Sequence, residues 1–225
     1  DSSLFRSRKV RSSDAHWQLD FSTNDYLGLS QHPDIKRAFK QAIDTWGVGS
    51  TGSPLLSGYS KVHQELEELL AEWMNKPRAL LFNSGFAANH GGLTTLVDKQ
   101  QKLFADKLVH ASIIDGVRLC KAKRFRYANN DMESLNEQLI QSKNCEKILI
   151  VTDGVFSMDG IIANLKEICN LADKYNALVM VDDSHGIGVL GENGKGRIEY
   201  CDVIDRVDIV TGTLGKALGG ASGGY

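Results

Sequence analysis

Proline is scarce, with three residues in 225, and cysteine nearly so, with four. Cys120, Cys145, Cys169 and Cys201 stand far apart and form no C-x-x-C pair, which argues against a zinc cluster or a dithiol redox motif; reduced thiols, mostly in the core, are expected. Charge of one sign is lacking too. Lys and Arg number 26 against 28 Asp and Glu, a formal net charge of -2, so no basic excess draws the chain to nucleic acid or to an acidic membrane surface. No long hydrophobic run exists either: stretches such as residues 177–181 fall far below the roughly 20 residues that span a bilayer. The chain also opens without a charged-then-apolar leader, and a cytoplasmic protein with a small ligand is expected. Asp1 in place of Met, and a glycine-rich end at Tyr225, lead us to expect a piece of a longer chain.

What is present is a globular balance, 42% hydrophobic and 24% charged, which leaves disorder and coiled coil without support. The 22 glycines gather at 47–58, 85–92, 186–196 and 212–224, a pattern of tight turns near a ligand more than of a flexible linker. Ile35, Ala38, Phe39, Ala42, Ile43 and Trp46 share one helical stripe, as do Val62, Leu66, Leu69, Leu70 and Trp73. Short apolar runs follow at 79–82, 103–105, 148–151, 178–181 and 209–210, and each reads as a buried strand. Helical patterns lie between them, for example Leu165, Ile168, Cys169, Ala172 and Tyr175. Alternating strand and helix predicts an α/β fold with a mostly parallel sheet covered on both faces. No repeat interrupts it.

In such sheets ligands sit beyond the carboxyl ends of the strands. After Phe82 comes Asn83-Ser84-Gly85-Phe86-Ala87-Ala88-Asn89, small residues that open a helix whose free N–H groups suit an anion, though an ordinary strand-to-helix turn reads the same way. After Val151, residues 152–160 (TDGVFSMDG) read as a polar loop. After Val181 comes Asp182-Asp183-Ser184-His185. A carboxylate there needs a cation or hydrogen bonds to stay ionised, and capping a turn is the plainer alternative. After Val210, Lys216 stands alone among small residues, and crowding lowers the pKa of an amine that must lose its proton to form an imine. Together these strand ends offer an anion cradle, an acid for a pyridinium nitrogen, an imidazole for a phenolic oxygen and an amine for a Schiff base. Those are the parts of a pyridoxal phosphate site.

The same residues carry a family resemblance. Residues 24–29 (NDYLGL), 84–89 (SGFAAN), 110–112 (HAS), 156–160 (FSMDG), 182–185 (DDSH) and 213–216 (TLGK) resemble the α-oxoamine synthases, pyridoxal phosphate enzymes of the aspartate aminotransferase fold. Within that family, residues 47–63 (GVGSTGSPLLSGYSKVH) and the segment on to about Phe86 resemble 8-amino-7-oxononanoate synthases. Residues 111–132 and 207–225 look closer to glycine C-acetyltransferases, also called 2-amino-3-ketobutyrate coenzyme A ligases. The resemblance implies a large cofactor-binding domain at 51–225, preceded by an arm and first helix at 1–50, with a mixed sheet and a C-terminal small domain absent from this chain. It also implies that the stretch after Lys216 forms the sheet's one antiparallel strand.

The roles it implies are specific. Lys216 holds the cofactor covalently and later moves the α-proton. Asp182 pairs with the ring nitrogen, His185 with the phenolic oxygen, and His110 stacks on the ring. Gly85, Phe86, Ser157 and Thr213 hold the cofactor or its phosphate, Asn24 and His110 help bind the amino acid, and Arg6 matches a substrate-binding arginine. The implied reaction condenses a small amino acid with an acyl thioester of coenzyme A or of an acyl carrier protein, in a homodimer. Because residues 47–60 are expected to shape the acyl pocket, the sequence leans to alanine with a pimeloyl thioester and loss of carbon dioxide. Glycine with acetyl-CoA is the alternative, and a non-catalytic cofactor-binding fragment is a third reading.

Three other motifs fail on context. Residues 47–52 match G-x-G-x-x-G but follow a helix, whereas a dinucleotide fingerprint follows a strand. Residues 186–191 match it too, yet no helix opens directly after them to receive a pyrophosphate. Residues 220–224 fit G-x-S-x-G with no acid or histidine following in the chain.

Overall fold

A computed structural model describes residues 8, 10, 21–142 and 147–225. Arg6 and Cys145 lie outside the described residues. Four of the five apolar runs form strands: β1 (Lys102–Asp106), β3 (Ile148–Asp153), β4 (Ala177–Asp182) and β5 (Ile209–Thr211). A fifth strand, β2 (Lys123–Tyr127), went unread because KRFRY looks polar. The order is β2-β1-β3-β4-β5 and every pairing is parallel. Chain order reverses between β1 and β3, since β2 lies on one side of β1 and the later strands on the other. That switch point is where ligands of such sheets collect.

Helices cross over between the strands. α1 (Pro33–Trp46) and α2 (Lys61–Trp73) precede α3 (Gly85–Leu96); α4 (Ala111–Leu119), α5 (Met132–Ile140), α6 (Leu165–Tyr175) and the short α7 (Arg197–Tyr200) complete the set. α6 shows how the sequence aims the site. Leu165, Ile168, Cys169 and Ala172 recur at helical spacing and are buried, and Asn176 ends the helix in the left-handed region at φ 52, so β4 begins on the next residue. β3 is buried throughout, as parallel strands covered on both faces should be. Cys120, Cys169 and Cys201 are buried free thiols, as expected.

Three expectations need correction. Residues 79–82 do not form a strand: Leu80 is 67% exposed, and only Phe82 pairs, its N–H and C=O bonding Gly224. A strand requires a continuous partner, and this run meets a single residue. After Lys216 the expected antiparallel strand is reduced to isolated contacts, Gly224 with Phe82 and Thr213 and the mutual bonds of Gly212 and Tyr225, so the named strands form an all-parallel sheet. Thr152 and Asp153 belong to buried β3, not to a polar loop.

Candidate active site

Parallel register sets the carboxyl ends of three strands side by side, Asp153 beside Asp182 and Asp182 beside Thr211. Above them lies a cavity of about 210 Å³ whose lining includes Gly85, Phe86, His110, Asp153, Asp182, His185, Thr213 and Lys216. Seven of the ten proposed site residues therefore meet at one place that also holds Asp153. Ser157 does not join them; it is exposed on the loop after β3 and outside the lining. Asn24 is exposed and reaches the site through a neighbour, Tyr26, described below.

Asp182 is 6% exposed and tightly held. Its Oδ1 accepts from the Ser184 amide at 2.9 Å and its Oδ2 from Asn89 Nδ2 at 2.5 Å. Asn89 in turn donates to Ser112 at 3.0 Å and accepts from the Thr211 hydroxyl at 2.7 Å, so one amide ties α3, α4, β4 and β5 together. Close helix packing permits this. A Cβ at Gly116 would stand 2.9 Å from Leu93 Cδ1 and 3.3 Å from the Asn89 carbonyl. Sequence reasoning passed over Asn89 although it lies one helical turn beyond Gly85, on the face turned to the sheet. It also passed over Asp153, which ends a buried strand as Asp182 does.

His110 caps α4 by accepting from the Ser112 amide at 3.2 Å, and its own amide donates to the Asp153 carboxylate at 3.1 and 3.3 Å. Burial, with the Asp182 charge adding to it, pushes the Asp153 carboxyl up to about 8. Lys216 Nζ lies 2.8 Å from His185 Nε2. Burial lowers the Lys216 ammonium below its ordinary value, while Asp182 and Asp153 act in the other direction. For His185, burial and then the Lys216 charge pull the imidazole down to about 4. The start of α3 also lines the cavity. Ser84 caps it by accepting from Ala87 N at 3.1 Å, and the lining residues Gly85 and Phe86 occupy its first turn, where unpaired N–H groups favour an anion.

The arrangement fits pyridoxal phosphate. The cavity of about 210 Å³ is lined by a fixed carboxylate, an amine with a lowered pKa, two imidazoles and the first turn of a helix, the donor set that a pyridine nitrogen, an aldehyde, a phenolic oxygen and a phosphate call for.

The aminotransferase class I and II family profile matches residues 17–225. A 2-amino-3-ketobutyrate coenzyme A ligase of Escherichia coli K12 is 56% identical over 209 residues, which are 92% of this chain and 52% of that protein. An 8-amino-7-oxononanoate synthase of Saccharophagus degradans is 51% identical over 202 residues, 89% of this chain and 51% of that protein. Among solved structures, a serine palmitoyltransferase from S. paucimobilis with bound PLP and myriocin superposes with a TM-score of 0.86 at 35% identity, covering 90% of this chain and 51% of that one. The chain belongs to the aminotransferase class I and II family, in its α-oxoamine synthase branch, and its cofactor is pyridoxal phosphate. It spans about half the length of the relatives it matches.

Proposed function

We propose that the full-length protein is an acyltransferase that joins the α-carbon of a small amino acid to the acyl group of a thioester. The observation that carries this reading is the meeting of Asp182, His185, His110 and Lys216 around one cavity. Bound pyridoxal phosphate supplies an electron-withdrawing ring that stabilises negative charge on the α-carbon of an attached amine. The protein supplies the rest. Lys216, with its lowered pKa, is an amine able to shed a proton and to take one from the α-carbon. Asp182, fixed by Asn89 and Ser184, offers a carboxylate that cannot swing away from a pyridine nitrogen. His110 lines the cavity as a flat ring anchored by its cap, and Thr213 and the first turn of α3 line it as the groups to hold a phosphate; Asn24, outside the lining, is assigned to the amino-acid carboxylate through the family resemblance. Ser157 and Arg6 are assigned to cofactor and substrate through the family resemblance.

The substrate pair we favour is glycine with an acetyl thioester, yielding a product that keeps its carboxylate. In support, the ketobutyrate ligase relative is the more identical of the two and covers more of the chain. Alanine with a pimeloyl thioester is the second reading, supported by the resemblance at 47–63, residues that with α1 line a groove of about 780 Å³. Competition between the two pairs in the full-length protein decides: preference for pimeloyl and alanine rejects the first reading, and turnover of neither rejects both. The holoprotein should absorb in the visible, and Lys216→Ala should abolish the band that borohydride bleaches. A colourless protein after saturation with cofactor would count against the whole reading. Residues 51–225 are proposed as the cofactor domain, residues 1–50 as arm and first helix, and the protein as a cytoplasmic homodimer. Among the described residues no helix is long and apolar enough to cross a membrane.

A further inference from the structure

His185 is met from its far side by a residue 159 positions earlier in the chain: its Nδ1 lies 2.6 Å from the Tyr26 hydroxyl. The same hydroxyl donates to Asn24 Oδ1 at 3.1 Å. A phenol has one proton to give. Given to Asn24, it leaves the Tyr26 oxygen as an acceptor only, so His185 must carry its ring proton on Nδ1. The lone pair of Nε2 then faces Lys216 Nζ at 2.8 Å. With its pKa held at about 4, the ring is neutral near pH 7 and carries a single N–H; the charged or titratable groups acting on it are Lys216, Asp182 and His110. Burial raises the Tyr26 hydroxyl above its ordinary pKa, so it keeps its proton.

We propose that Tyr26 is a positioning residue that, through one hydroxyl, sets which nitrogen of His185 bears the proton and which way the Asn24 amide faces. The inference rests on the cavity being the cofactor site and deepens that reading. With Oδ1 held by Tyr26, the Nδ2 donors of Asn24 are left for an anionic group such as an amino-acid carboxylate. A hydroxyl can also reverse its direction, which neither a carbonyl nor a carboxylate can. When the Lys216 amine moves off Nε2, Tyr26 is able to donate to Nδ1 instead, and the ring then presents Nε2–H to an anionic oxygen. Phenylalanine at this position could do neither.

Nitrogen-15 NMR of the cofactor-free full-length protein reads the tautomer directly, with His185 assigned by its loss in His185→Gln. The Nδ1-protonated form is expected to dominate by roughly fivefold or more, the bias that one ordinary hydrogen bond supplies. In a Lys216→Ala background, where no amine faces Nε2, Tyr26→Phe should bring the two forms toward equal populations. Asn24→Ala, which frees the hydroxyl to donate to Nδ1, should favour the Nε2–H form. A wild-type ring protonated on Nε2, or on both nitrogens near neutral pH, overturns the proposal, and so do spectra of the two variants that match wild type. None of these readings needs turnover, so an inactive protein that shows the expected tautomer refutes the acyltransferase function and leaves this inference standing.

Discussion

At the residue scale, the pair Asp153 and Asp182 sets a cost that the cofactor-free site carries. The two carboxylates end adjacent strands in register, and the Asp153 carboxyl, buried and beside a negative neighbour, titrates near 8. In the unfolded chain it titrates near 4. Between those values the folded state binds a proton that the unfolded state has released, so stability falls as pH rises through that window. His185 runs the other way: titrating at about 4 when folded and about 6.5 when unfolded, it contributes stability that grows from pH 4 to 6.5. Asp153→Asn keeps the shape and removes the titration. Urea unfolding of the cofactor-free protein at pH 5 and pH 8 should show wild type losing more than about 1 kcal/mol beyond what the variant loses. Equal losses would mean that Asp153 is ionised in the folded protein across the range.

At the scale of elements, the second acid of the 182–185 run organises the loops around the cavity. Asp183 is fully buried, and its Oδ2 accepts from the amides of Arg197 and Ile198, drawing the start of α7 against the end of β4. Three glycines leave room for it. A Cβ at Gly154, Gly186 or Gly196 would come within 2.4, 2.1 or 2.2 Å of the Asp183 carboxylate oxygens. Gly186→Ala should therefore cost about 1–3 kcal/mol of stability and weaken cofactor binding, because His185 immediately precedes it. Urea unfolding and spectroscopic titration with pyridoxal phosphate check both; a variant as stable as wild type would show that the loop yields freely. The sequence disclosed this level unevenly. Buried strands such as β3 and β4 were legible because both faces are covered, which forces unbroken apolar runs. β2 was not: as an edge strand it carries Lys123, Arg124 and Arg126 exposed, a pattern that resists edge-to-edge pairing and reads as a surface loop. Lys216, Asp182 and His185 stood out as polar residues at the ends of such runs. Tyr26, Asn89 and Asp183 act through partners far away in sequence, and no local pattern names those partners.

At the scale of the whole molecule, α1 is amphipathic, and among the described residues its apolar side stays exposed. Phe39, Ile43 and Trp46 are 59%, 38% and 50% exposed, and α1 contains no buried residue. The glycine-rich segment beyond it adds Val48 and Leu55 at 93% and 94% exposed. A single exposed side chain means little, but a contiguous apolar face beside a groove marks an interface. A second copy of the full-length chain is the occupant expected from the proposed homodimer, and it would bury the stripe together with residues 47–63, next to which the acyl thioester is proposed to enter. Sedimentation velocity of the full-length protein at micromolar concentration should give a dimer. Phe39→Glu combined with Trp46→Glu, placing charges at two apolar contacts, should weaken association at least about 100-fold while leaving the circular dichroism of the monomer intact. A wild-type protein that sediments as a monomer would place the rest of its own chain over this face, and the acyl pocket would then have to close within one subunit.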